Sequence, residues 1–568
     1  MNPRGTFPGT QLLQEPIGHL GLLSLRLERA YGDLSALQIQ RGGSYRQWSY
    51  RSFARRVWAM AQRLGEMGLQ PGDRLALIGD NSPEWVMAYF AIVSVGAIAV
   101  PLDPQLSEEE LCHLLGHCEA RGAFAGERLI GLVTKALGEG QPVIGLTVDE
   151  FEREADEPFP VPPEAAETAS ILYTSGTTGS PKGVMLTHEN LLFDAGRCAE
   201  VLYVLPGDNV FALLPLHHAY AFTCLLIMLL SGVPATFPLS LKPDSIVATM
   251  RDTRVTALPA VPLVIDHLAR GIQERIEAQP PVRTRIARTL IRLSGFLRPW
   301  LGVHVSRRLC APILRQLGPL RAIIAGGAAL NPDSAEFFYA LGVTVLNGYG
   351  LTETAPVSTL TPTPWRPGDG VGKPLRGVEI RVRNPNAEGI GEVLIRGPHV
   401  MRGYYRNPEG TAEVLEDGWL NTRDLGCLDE RGNLHLMGRS KHVIVLPSGK
   451  NLYPEDVELH YLKSDLIQEL CIITGTEADG SEFPFGVIVP NRKVLEAQHP
   501  EATTPKAVSD LIGKELVRLS RGVADYKRLK RFEVIEEALP LTTSRKVRRH
   551  VVQSAYQFRD GQAVRAGN

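Results

Sequence analysis

Tyr173-Thr174-Ser175-Gly176-Thr177-Thr178-Gly179-Ser180-Pro181-Lys182-Gly183-Val184 is the stretch on which the reading of this chain turns. Its twelve residues hold three glycines, five Ser/Thr hydroxyls and one lysine, and they follow the apolar run Ala169-Ser170-Ile171-Leu172. Glycine lets the backbone approach closely and point amide N–H groups at phosphate oxygens, while hydroxyls add donors and lysine adds a cation. The composition therefore suits a loop that wraps a polyanion, and it equally suits a surface turn. A Walker A loop is excluded, because Gly176, Gly179 and Lys182 stand three apart and Gly183 follows the lysine.

At 568 residues the chain is too long for one core, so two or more domains are expected. Charge is balanced, with 60 basic against 62 acidic residues, and nothing global points to nucleic acid. Seven cysteines without C-x-x-C or zinc spacing read as free thiols of a reducing cytoplasm. The N-terminus lacks the apolar core of a signal peptide. The most hydrophobic run, 88–102, is shorter than the roughly twenty residues a membrane span needs, so a buried helix-turn-strand is expected there.

Periodicity predicts a helix over 50–67, a strand over 73–79, a helix over 84–95 and a strand over 97–102. This β-α-β rhythm implies a parallel sheet covered by helices. It continues through strands at 210–214, 235–237, 257–260, 322–325 and 343–346. After Gly372 short strands at 378–382 and 391–395 suit a small β subdomain. Residues 281–318 carry eight arginines and no Asp, Glu or Lys, interleaved with apolar residues. Two readings stand there: a basic amphipathic segment lying on an anionic membrane face, or a helical pair packed on its own domain with solvated arginines.

Further motifs carry chemistry. Leu214-Pro215-Leu216-His217-His218-Ala219-Tyr220 is a turn with two histidines. In Ala325-Gly326-Gly327-Ala328-Ala329-Leu330 small residues leave room for a flat ring. In Asn347-Gly348-Tyr349-Gly350-Leu351-Thr352-Glu353-Thr354, Glu353 could hold a magnesium ion that also touches phosphate oxygens; the rival is an ordinary capped glycine turn. Asp424, in Asn421-Thr422-Arg423-Asp424-Leu425-Gly426, is a natural acceptor for vicinal hydroxyls. Gly438-Arg439-Ser440-Lys441, Ser448-Gly449-Lys450-Asn451-Leu452-Tyr453-Pro454 and Leu539-Pro540-Leu541-Thr542-Thr543-Ser544-Arg545-Lys546-Val547 complete the set.

These motifs occur in the order of the adenylate-forming superfamily, which the chain resembles from about Ala36 to His550; the look is nearest the long-chain fatty acyl-CoA synthetases. The resemblance implies a large N-terminal domain over 1–437 of layered αβ subdomains with a small β-barrel-like part. A hinge at 438–441 and a mobile α+β domain over 442–568 follow. It implies ATP, Mg²⁺ and coenzyme A, with a fatty acid activated to acyl-AMP and passed to a thiol. Thr174 to Gly179 and Lys182 would meet the phosphates, with Thr174 also near the metal. Tyr349, flanked by Asn347, Gly348 and Gly350, would stack on adenine against Gly327 and Ala328. Thr352 would meet the α-phosphate, Glu353 would hold Mg²⁺, and His218 would border the acyl pocket. Asp424 would take the ribose and Arg439 the ribose or a phosphate, Lys441 would be the hinge, and Lys546 the catalytic lysine. Residues 448–454 would lie near the pantetheine tunnel. Arg423 and Arg545 stand where relatives carry glycine. Transfer to an acyl carrier protein, an aryl acid as substrate, and an inactive acyl- or nucleotide-binding relative are the alternatives.

Overall fold

The computed structural model describes residues 17–138, 140–162, 167–174, 181–202, 204–205, 207–361, 366, 369–447, 450–541, 547–559 and 562–565. The chain divides into two compact units, one of residues 1–380 with 395–420, the other of 381–394 with 421–568. The residues expected to form the hinge, 438–441, fall inside the second unit.

The first unit is a layered α/β body. Among the described residues, one sheet has nine strands, with Thr344–Tyr349, Ala322–Ala325, Ala257–Ala260, Val210–Phe211, Ala235–Phe237 and Ser35–Arg41 as successive parallel neighbours. A second sheet of seven strands runs Gly403–Tyr404, Lys182–Thr187, Thr168–Thr174, Ile98–Leu102, Arg74–Ile78, Ala120–Ala125, Val143–Gly145. The expected strands and helices are present with ends shifted by at most three residues. The largest change is at 210–214, where the strand stops at Phe211, and at 343–346, where it runs on to Tyr349.

Helix placement follows hydrophobicity. Pro83–Ser94 is buried at every position and capped by Ser82, whose side chain accepts from the Trp85 N–H. A helix apolar all round belongs in the interior, and here it lies in the body with the strand Ile98–Leu102 after it. Ala219–Leu230 is likewise almost wholly buried. No described helix is long and apolar enough to cross a membrane.

Residues 281–318 form the helices Pro281–Leu301, Val303–Leu309 and Ala311–Leu314 followed by a short turn. The second unit pairs Ile467–Thr476 with Glu482–Pro490 antiparallel, and the latter with Arg531–Val534 in parallel. The helices Pro454–Tyr461 and Pro505–Leu519 contribute Val457, Tyr461, Ile512 and Leu516 to that unit's core.

Candidate active site

The polar loop joins two antiparallel strands whose last pair is Thr174 opposite Lys182. Ser175, Gly176, Thr177, Thr178 and Gly179 lie outside the described residues, as does Lys546. Lys182 reaches back so that its Nζ lies 4.8 Å above the ring of Tyr404. The Tyr404 hydroxyl donates to Glu353 Oε1 at 2.9 Å, and the Met401 N–H donates to the Glu353 carbonyl at 2.8 Å. Tyr404 arrives there because Gly403–Tyr404 adds to the sheet edge, with Tyr404 paired to Val184. The fold thus brings the loop's lysine over the ring, and the expected metal carboxylate onto the hydroxyl, of one tyrosine. Tyr404 escapes sequence reasoning, since a lone Gly-Tyr-Tyr step carries no periodicity.

The turn that presents Thr352 and Glu353 is heavily braced. A Cβ on Gly350 would lie 1.8 Å from the Pro356 carbonyl oxygen, so only glycine fits. Thr354 Oγ1 accepts from the Leu351 N–H at 3.0 Å and bonds the Leu351 and Pro356 carbonyls. Behind it, Thr223 donates to the Ala355 carbonyl at 2.9 Å, and Asp194 accepts from the Val357 N–H at 3.2 Å. Asp194 is fully buried, and burial pushes its carboxyl well above the usual range. Ser358 Oγ and His399 Nε2 are 2.9 Å apart, and burial lowers His399 to about 4. Asn347 is fixed by its N–H to Thr361 Oγ1 at 2.8 Å.

Gly327 and Tyr349 leave the carboxyl ends of adjacent parallel strands, in a register that pairs Ala325 with Asn347. Ligands of open α/β sheets bind at such ends. Gly326 backs on Tyr220, where an added Cβ would come 3.2 Å from the ring, and Gly327 has φ +85°. His218 is the residue before the helix Ala219–Leu230, and its carbonyl accepts from the Phe222 N–H at 3.1 Å. The ring of His217 lies 4.3 Å from that of His218, and its Nε2 is 3.7 Å from Asp103 Oδ2. Burial lowers His217 to about 4, so it is neutral near pH 7. Asn81 clamps this turn: it accepts from the Leu216 N–H at 2.9 Å and donates to the Leu214 carbonyl at 2.6 Å. Asn81 follows the strand Arg74–Ile78 of the other sheet, so no local motif could have revealed it.

Beneath Ile324 lies an apolar cavity of about 230 Å³, lined by Cys224, Ile227 and Met228 of the buried helix and by Pro259, Ile324 and Leu346 of the sheet. Asp208 and Arg321 also line it, and Arg321 Nε reaches Asp208 Oδ1 at 2.8 Å.

In the second unit, strand register sets Asp424 opposite Arg439, with Arg439 Nε 3.2 Å from Asp424 Oδ1. Asp424 is buried, and its N–H donates to the Thr422 hydroxyl at 3.1 Å. Arg423 has φ +59°, a left-handed backbone that glycine adopts freely. Lys441 lies in the turn Ser440–His442, beside which His442 Nδ1 and Glu455 Oε1 are 2.7 Å apart.

A family model described as "AMP-binding enzyme" matches residues 27–405. A long-chain-fatty-acid–[acyl-carrier-protein] ligase of Arabidopsis thaliana is 27% identical, over 86% of this chain and 78% of its own. A feruloyl-CoA synthase of an Amycolatopsis species is 29% identical, over 83% and 89%. The crystal structure of ATP-bound MatB from Rhodopseudomonas palustris is 27% identical with a TM-score of 0.74, covering 94% of this chain and 98% of that one.

Proposed function

Since the chain belongs to the AMP-binding enzymes, we propose that it joins a medium- to long-chain fatty acid to AMP and then passes the acyl group to the thiol of coenzyme A. The observation that carries the first step is the convergence of Lys182 and Glu353 on Tyr404 at the base of the polar loop. ATP is the nucleotide of the related MatB structure.

A carboxylate oxygen attacks the α-phosphorus while the bond to the bridging oxygen breaks and pyrophosphate leaves. Both reactants are anions, so the barrier is one of charge. Glu353 is suited to Mg²⁺, which prefers one or two carboxylates plus substrate oxygens and would neutralise charge on the phosphates. Tyr404 orients that carboxylate through its hydrogen bond to Oε1. Lys182 and the hydroxyls from Thr174 to Thr178 bind the departing phosphates. Thr352 meets the α-phosphate, Tyr349 stacks on adenine against Gly327 and Ala328, and Asp424 with Arg439 takes the ribose. Lys546 would neutralise charge as the carboxylate and the α-phosphate react. In the second step the thiol sulfur attacks the acyl carbon, and AMP departs as the carbon–oxygen bond breaks.

The choice of acid follows the cavity. Its walls of Ile227, Met228, Ile324 and Leu346 offer an alkyl chain dispersion contacts. Neutral His217 stands at the turn before it, beside the His218 ring. A carrier-protein thiol is the second acceptor, favoured by the Arabidopsis relative. Pyrophosphate release over a panel from acetate to oleate, with ferulate alongside, tests the reading. Saturated chains of intermediate length should give the highest kcat/KM, and faster turnover of ferulate would overturn the fatty-acid assignment. Repeating the best acid with coenzyme A against holo carrier protein separates the acceptors.

A further inference from the structure

Six of the sixteen large hydrophobic side chains exposed among the described residues sit on one helix, Pro281–Leu301. Phe296 is 72% exposed and Trp300 82%. At 3.6 residues per turn, Val282, Ile286, Leu293, Phe296 and Trp300 fall within roughly 40° of a single line. Arg283 flanks this line on one side and Arg285 and Arg292 on the other, all exposed. Arg288 is exposed as well and reaches Glu277 at 2.7 Å. From 281 to 318 there is no acidic side chain.

The opposite face is committed inward. Ser294 Oγ donates to the Ala340 carbonyl at 2.5 Å, and Gly295 packs so closely that an added Cβ would lie 3.3 Å from Ala340 Cβ. Arg298, buried, stacks 3.9 Å from the Tyr339 ring and bonds the Tyr339 and Val343 carbonyls. The sequence reading of solvated arginines therefore fails for Arg298, and it fails for Arg307, which donates to the Leu320 carbonyl at 2.8 Å. Because the inner face is seated on the helix Pro332–Leu341, the helix cannot roll to hide its apolar line.

We propose that the outer face of the helix Pro281–Leu301 is a docking surface for an anionic lipid bilayer, with Phe296 and Trp300 entering the interface and Arg283, Arg285 and Arg292 meeting lipid phosphates. An apolar line edged by arginines is the pattern of helices that lie in the interfacial plane. Charge selects this occupant over a second copy of the chain: a symmetric dimer would set one arginine edge against its own image. The surface is independent of the acid that the cavity accepts.

Sedimentation of the full chain with vesicles of phosphatidylcholine and phosphatidylglycerol in equal parts, against phosphatidylcholine alone, is the test. The native chain should pellet with the anionic vesicles at low ionic strength and come off as salt is raised. Arg285→Glu with Arg292→Glu should weaken binding by on the order of a hundredfold, and Phe296→Ser with Trp300→Ser should weaken it at least about tenfold. All four side chains are exposed, so melting temperatures should stay unchanged. No binding at low salt, equal binding to neutral vesicles, or variants that bind like the native chain would each overturn the proposal. So would a dimer in solution that Phe296→Ser with Trp300→Ser converts to monomer without any vesicle binding by the native chain.

Discussion

Tyr404 holds Glu353 by one hydrogen bond of 2.9 Å, and substitutions on its two sides separate charge from orientation. Glu353→Gln removes the charge that draws the metal, so acid-dependent pyrophosphate exchange should fall by about 10²- to 10³-fold, the usual loss for one transition-state electrostatic partner. Tyr404→Phe keeps the charge and frees the carboxylate to rotate; activity should drop by about ten- to a hundredfold, with a raised Mg²⁺ requirement as the distinguishing readout. Arg423 poses a different question. Its φ of +59° costs an L-residue about 1–2 kcal/mol that glycine does not incur. Arg423→Gly should therefore raise the urea midpoint, by somewhat less than that figure because glycine also gains entropy in the unfolded chain. An unchanged or lower midpoint would mean that the guanidinium contributes more than the strain costs. At this scale the sequence exposed Glu353, Lys182, Asp424 and the odd Arg423, because each sits in a short motif. Tyr404 and Asn81 were invisible, since their partners lie far away along the chain.

The helix Ala219–Leu230 is the element that ties turn to cavity: His218 stands just before it, and Cys224, Ile227 and Met228 form one wall of the 230 Å³ space. Filling that space should change selectivity before it changes chemistry. Met228→Trp is expected to depress kcat/KM for the longest acids several-fold or more while acetate and butyrate turn over as before. Overpacking of this kind costs about 1–3 kcal/mol in stability, so a melting curve must accompany the kinetics. Uniform loss across all chain lengths would place the acyl chain elsewhere. Period made the helix Tyr50–Glu66 and most strands legible, since a two-residue or 3.6-residue repeat is written locally; Ala219–Leu230, apolar on nearly every face, carries no such repeat. The strand Gly403–Tyr404 was not legible, because two residues show no period and the strand exists only through its partner Lys182–Thr187. Sheet order was hidden for the same reason.

Acid sensitivity belongs to the whole fold. His217 and His399 are both held near 4 by burial, against 6.5 for a free imidazole. As pH falls, the unfolded chain takes up these protons first, so the stability they supply is complete above about 6.5 and is lost on the way to 4. The loss is on the order of 3 kcal/mol for each group, and melting temperature should fall steeply across that window. His399→Gln should flatten the fall; an unchanged slope would contradict the assignment to His399. The division of the chain was only partly legible. Length and the change of texture after Gly372 announced more than one body, but the inclusion of 381–394 in the second unit depends on pairings between distant segments. Acyl-adenylate formation is tested most directly by exchange of labelled pyrophosphate into ATP without any thiol acceptor. Exchange should require a fatty acid and be lost in Lys546→Ala, while Lys546→Ala should still form thioester from supplied acyl-adenylate. Absence of exchange by the native chain with every acid from acetate to oleate would contradict it.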